Sequence, residues 1–93
     1  MQVKVVNGRV ELRKDNGVLV RVVGYSNAVH AEFHSSNNML LILSETGKLE
    51  LRTPEGKMIK EIAHSGITKA NFENDKILMS TEKEEIIEFS LSN

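Results

Sequence analysis

His30, Glu32 and His34 form the sharpest chemical constellation in the chain. On a β-strand, alternate residues share one face at a spacing of about 6.6 Å. Histidine, glutamate and histidine in that arrangement are a plausible zinc set, which makes a metal-binding protein or a small enzyme one reading. The competing reading is that they are the polar side of a half-buried strand. The corresponding residues 39 positions on are Lys69, Asn71 and Glu73, so the set is not repeated.

A second constellation does repeat. Glu11 and Arg13 recur as Glu50 and Arg52, with Glu88 and Ser90 as an imperfect third copy. Alternation places each pair on the outward face of its strand. A solvated charge ladder, or a contact between repeats, is expected in preference to paired catalytic carboxylates, since neighbouring opposite charges across strands contribute about 0.2–1 kcal/mol. Asp15 and Asp75 fall in turns, where their side chains serve turn chemistry. No serine–histidine–aspartate arrangement or phosphate-cradling glycine run stands out. The chain contains no cysteine, which excludes a disulfide scaffold, a thiol nucleophile and a cysteine zinc site.

The elements that must position these residues are short strands. Met1–Val6, Gly8–Lys14, Val18–Val23, Ala28–His34, Met39–Ser44, Lys48–Arg52, Lys57–Ile62, Ile67–Phe72, Lys76–Ser80 and Ile86–Leu91 are each apolar or alternating, and each is bounded by turn residues. Asn7-Gly8 is a strong hairpin signal, because both residues accept positive φ. Met39–Ser44 is the most apolar run and is expected to be buried on both faces. The fold class is therefore all-β, an antiparallel meander of about ten short strands.

Residues 8–33 also echo residues 47–72 without a gap. Gly8/Gly47, Glu11/Glu50, Leu12/Leu51, Arg13/Arg52, Gly17/Gly56, Ser26/Ser65, Ala31/Ala70 and Phe33/Phe72 are identical. Average residue usage would give about two matches. The period of 39 residues and four strands organises the 93 residues as one domain, with repeats at 8–46 and 47–84 and partial strands at both termini. In its strand order the repeat resembles the blades of WD-repeat β-propellers. Ala28–Phe33 and Ile67–Phe72 look like that family's innermost strand, and Gly17–Val23 and Gly56–Ile62 like its outermost. The Trp-Asp signature is absent, with Arg13-Lys14 and Arg52-Thr53 in its place. The resemblance puts Tyr25 and His64 in equivalent loops on one face of a rigid scaffold. Tyr25, Asn27, His64 and Ser65 are then candidate binding residues, unless Tyr25 and His64 pack over their turns.

A net charge of −1, with basic and acidic residues interspersed, points away from nucleic acid and anionic membranes. No signal peptide or apolar run near 18 residues is evident, so a cytoplasmic location is expected. No cofactor is expected. The reading that results is a non-enzymatic binding or scaffolding module. Its partners are copies of itself, a trimer ahead of a dimer with the termini at the contact, and another protein besides. Two repeats leave apolar faces and strand edges uncovered, and association would cover them. The alternatives are the His30/Glu32/His34 metal site and a ten-strand, small-ligand-binding β-barrel.

Overall fold

The computed structural model describes residues 1–23 and 27–91, and among these it contains ten strands and no helix. The strands are β1 (Gln2–Val6), β2 (Arg9–Arg13), β3 (Leu19–Val23), β4 (Ala28–His34), β5 (Met39–Ser44), β6 (Leu49–Arg52), β7 (Met58–Ala63), β8 (Ile67–Glu73), β9 (Lys76–Thr81) and β10 (Ile86–Ser90). All pairings are antiparallel between chain neighbours, and they divide the strands into three sheets: β1-β2-β3, β4-β5-β6-β7 and β8-β9-β10. Among the described residues the strands form three separate sheets and not one closed sheet, and the ten-strand barrel expectation is corrected. Among the described residues the three sheets do not close into a ring.

The sheets stack face to face with the four-stranded one in the middle. Strand β5 makes this possible because both of its faces are apolar. Leu40 and Ile42 pack with Val10, Leu12, Val23 and Ala28 of the first interface. Leu41 and Leu43 turn the other way, joining Leu49, Leu51, Ile67, Ala70, Ile77 and Met79 in the second. Leu40, Leu41 and Ile42 are each at most 1% exposed. At about 1.5–3 kcal/mol per buried aliphatic side chain, this strand alone binds the two interfaces together.

Turn chemistry recurs along the chain. Asn7 and Gly8, with φ of 51° and 81°, form a two-residue hairpin between Val6 and Arg9. A second turn type occurs four times. In it a backbone N–H donates to a carbonyl four residues on, and the residue three on has positive φ. The instances are Lys14–Val18, Ser44–Lys48, Thr53–Lys57 and Thr81–Glu85. The positive-φ residue is Gly17, Gly47 and Gly56 in the first three, but Glu84 in the fourth.

Adjacent sheets are also tied by backbone hydrogen bonds at the repeat spacing. The Ala28 N–H donates to the Gly8 carbonyl (2.9 Å), and the Ile67 N–H to the Gly47 carbonyl (3.2 Å). The register then drifts. The loop between β4 and β5 has four residues, Ser35 to Asn38, whereas Asn74 and Asp75 alone join β8 to β9. From β9 onward, equivalent positions are therefore 37 residues apart.

Candidate functional site

Glu32 and His34 on β4 act as fasteners between the middle and last sheets. Glu32 Oε1 accepts the Phe72 backbone N–H at 3.1 Å. His34 Nδ1 accepts the Asn37 N–H at 3.2 Å, so the ring proton sits on Nε2, which donates to the Asn74 carbonyl at 2.9 Å. The imidazole also meets the Phe72 ring edge-on, with centroids 4.8 Å apart. With both nitrogens engaged, His34 has no lone pair to offer a metal. His30 stands apart, its Nε2 3.8 Å from Glu32 Oε2. Among the described residues, no group of three histidines or carboxylates is placed to hold a metal ion.

Beside these fasteners, β4 and β8 border an open cleft of 410 Å³ lined by Val29, His30, Glu32, Thr68 and Lys69 among others. Of the loop candidates, Tyr25 lies outside the described residues. The Asn27 carbonyl accepts the Glu45 N–H at 2.9 Å, which is a sheet-closing role. Ser65 is exposed. His64 does not pack over its turn: the side chain is 88% exposed, with Nδ1 3.5 Å from Glu61 Oε1.

The repeated glutamates are the clearest departure from the solvated ladder expected. Glu11 and Glu50 are 5% and 3% exposed. Arg13 reaches Glu11 Oε1 through Nε (3.1 Å) and Nη2 (2.8 Å) and donates Nη1 to the Gly17 carbonyl (2.7 Å). Arg52 does the same with Glu50 Oε1 (3.0 Å) and the Gly56 carbonyl (2.6 Å). The other carboxylate oxygen faces Arg9 in one copy (3.6 Å) and Lys48 in the other (3.1 Å). Three residues at alternate positions thus share a face as cation, anion and cation, which is how a carboxylate tolerates burial. The arginine also clamps the next turn. This is structural chemistry, duplicated because the turn is duplicated.

The expected third copy at Glu88 is out of register. Ala31 pairs with Ile42 and Ile42 with Glu50; Ala70 pairs with Met79 and Met79 with Ile87. Ile87 therefore holds the glutamate position, while Glu88 faces the opposite way and bonds Lys76 at 2.9 Å.

The surface that stands out is apolar. Of eleven exposed large hydrophobic residues among those described, eight (Val18, Leu19, Val20, Val22, Met58, Ile59, Ile86 and Ile87) lie on or beside β3, β7 and β10. Each of these strands is the free edge of its sheet on the same flank. The edges are neighbours: Lys60 of β7 lies over the Phe89 ring of β10 at 5.2 Å, and a Cβ at Gly56 would sit 3.5 Å from Val23 Cγ1. The signal in the sequence was the near-continuous run Val18–Val23, too apolar for a strand with a solvated face. Comparison with protein-family models and with curated proteins finds no match for the chain.

Proposed function

We propose that the chain is a non-enzymatic interaction module of consecutive propeller-type blades, and that it self-associates through the β3/β7/β10 flank. The observation that carries this reading is the concentration of exposed apolar side chains on three adjacent unpaired edges. Such edges are usually protected by lysine, proline or a covering element. A blade reading accounts for the strand division: the first sheet then lacks an innermost strand and the last an outermost one. The titratable candidates support no chemistry in this reading, since Glu11, Glu50, Glu32 and His34 are all spent on holding the fold.

Ring closure by stacking end upon end is the less favoured mode of association. The positions that carry Met39, Leu41, Leu43, Leu49 and Leu51 in the middle sheet carry Lys76, Leu78, Ser80, Ile86 and Glu88 on the outer face of the last. Gln2 and Lys4 on the outer face of the first sheet stand where Leu40 and Ile42 stand in the middle one. Polar outer faces are what terminal units of a stack carry. Glu84 reinforces the point. It occupies the turn position of Gly47, where a Cβ would come within 2.4 Å of the Gly66 nitrogen of the following sheet.

Sedimentation velocity tests the reading. Ile59→Glu combined with Ile86→Glu should return the protein to monomer with its β-sheet circular dichroism intact, while Val29→Glu, exposed on a different strand, should not. Equal behaviour of the two variants refutes the flank.

A further inference from the structure

The last sheet stops one strand short of the middle one. In the middle sheet β6 is covered on its outer side by β7, whereas the equivalent β10 is an edge. It carries the most exposed large hydrophobic side chain among the described residues, Ile86 at 74%, with its neighbour Ile87 at 45%. Neither belongs to the buried core clusters. β10 contains no proline, and the single charge within it, Glu88, is tied to Lys76 on the face of the sheet and not at its edge. Nothing along the strand opposes the approach of another one.

The charge pattern selects the occupant and its direction. Glu82, Glu84 and Glu85 precede β10, and uncharged Phe89, Ser90 and Leu91 end it. A parallel neighbour of like sequence would lay acid upon acid. An antiparallel copy lays the acidic end over the uncharged one. With Glu88 on the two-fold axis the two carboxylates would oppose each other directly, a destabilising pair. With Ile87 on the axis, Ile86 faces Glu88 of the copy, Glu85 faces Phe89, and no like charges meet. Resting on the self-association proposed above, the geometry points to β10 pairing antiparallel with β10 of a second copy about a two-fold axis at Ile87. The result is a continuous six-stranded sheet. One isologous contact closes the assembly at two chains, the commonest symmetry for identical subunits. The heterologous alternative, β10 against the exposed β3 of a copy, would leave further edges open and propagate.

Because the chain has no cysteine, single-cysteine variants report the contact without background. A disulfide needs Cβ atoms about 3.5–4.5 Å apart, and directly opposed residues of antiparallel strands bring them to about 4.5–5.5 Å, a gap that strand-edge motion closes and that no other single-cysteine position in the contact matches. Under mild oxidation, Ile87→Cys should convert most of the protein to a covalent dimer at low micromolar concentration. Val20→Cys on β3 and Ser36→Cys in the β4–β5 loop should cross-link at least tenfold more slowly. Circular dichroism of each variant controls for folding, and Ile86→Glu, which leaves residue 87 intact and sets a carboxylate opposite Glu88 of the copy, should abolish the dimer. Rapid linkage at Val20 with none at Ile87 overturns the β10 pairing while leaving self-association standing. A monomer at every position overturns both.

Discussion

The four copies of one turn offer a graded test of how the sheets are joined. Gly17 and Gly47 have nearly the same φ, +91° and +85°, but a Cβ at Gly17 meets nothing within 4 Å, whereas at Gly47 it falls 2.4 Å and 2.7 Å from the backbone nitrogens of Gly66 and Ile67. Alanine at Gly17 incurs only the left-handed conformation, about 1–2 kcal/mol, partly offset by a stiffer unfolded chain. Alanine at Gly47 adds a clash with backbone that cannot rotate away, about 1–3 kcal/mol by analogy with overpacking. It also disturbs the Ile67 N–H bond to the Gly47 carbonyl, about 1 kcal/mol. The expected loss is about 3–5 kcal/mol against about 1 for Gly17→Ala, on a total stability of about 5–15 kcal/mol. The fourth copy runs the other way: Glu84→Gly relieves a positive φ of 63° and should gain about 0.5–1 kcal/mol. Urea unfolding with unchanged slope measures all three. If Gly17→Ala and Gly47→Ala agree within about 1 kcal/mol, the Gly47 turn is not a junction between sheets, and the stacking described here is wrong.

Three further outcomes are expected. Arg52→Lys should lose about 1–2 kcal/mol in the same assay, because an ammonium cannot span both Glu50 and the Gly56 carbonyl; an unchanged midpoint would show the clamp to be idle. A tenfold excess of zinc should leave the melting temperature unchanged, since both His34 nitrogens are occupied; a rise of several degrees abolished by His34→Ala would restore the metal reading. The hydrogen bond and charge of Glu88 raise the Lys76 pKa above 10.5. A raised folded-state value means that this contribution is present below 10.5 and is lost as pH climbs through the folded value. NMR titration should find Lys76 deprotonating later than in Glu88→Gln, and coincident curves would contradict the pairing.

The strand plan was legible because turns and alternation are local. Each of the ten strands lies within a residue or two of where its pattern put it, and Met39–Ser44 is buried on both sides as its unbroken apolar run requires. Glu11 and Glu50 misled because alternation tells which face a residue is on, not what covers it. The cover is Arg9 and Arg13 or Lys48 and Arg52, cations on the same face whose stems and charges enclose the carboxylate. The pattern of basic residues two before and two after each glutamate was the available clue. Glu88 misled differently: the sequence match set it 38 residues after Glu50, whereas the two-residue turn at Asn74-Asp75 in place of a four-residue loop makes the structural spacing 37, and in a strand a slip of one residue exchanges faces. His30, Glu32 and His34 were correctly placed on one strand. The backbone N–H of Phe72 and the carbonyl of Asn74, which engage two of them, come from a sheet 40 residues away, a pairing that sequence does not display.

The mass of the protein in solution tests the paired edge most directly. Gel filtration coupled to light scattering, run on the unmodified chain from low to high micromolar concentration, should give twice the chain mass of 10.4 kDa without growth to larger species. A mass of one chain throughout that range would contradict self-association through the flank, and a mass of three would return the end-to-end ring in place of the paired edge.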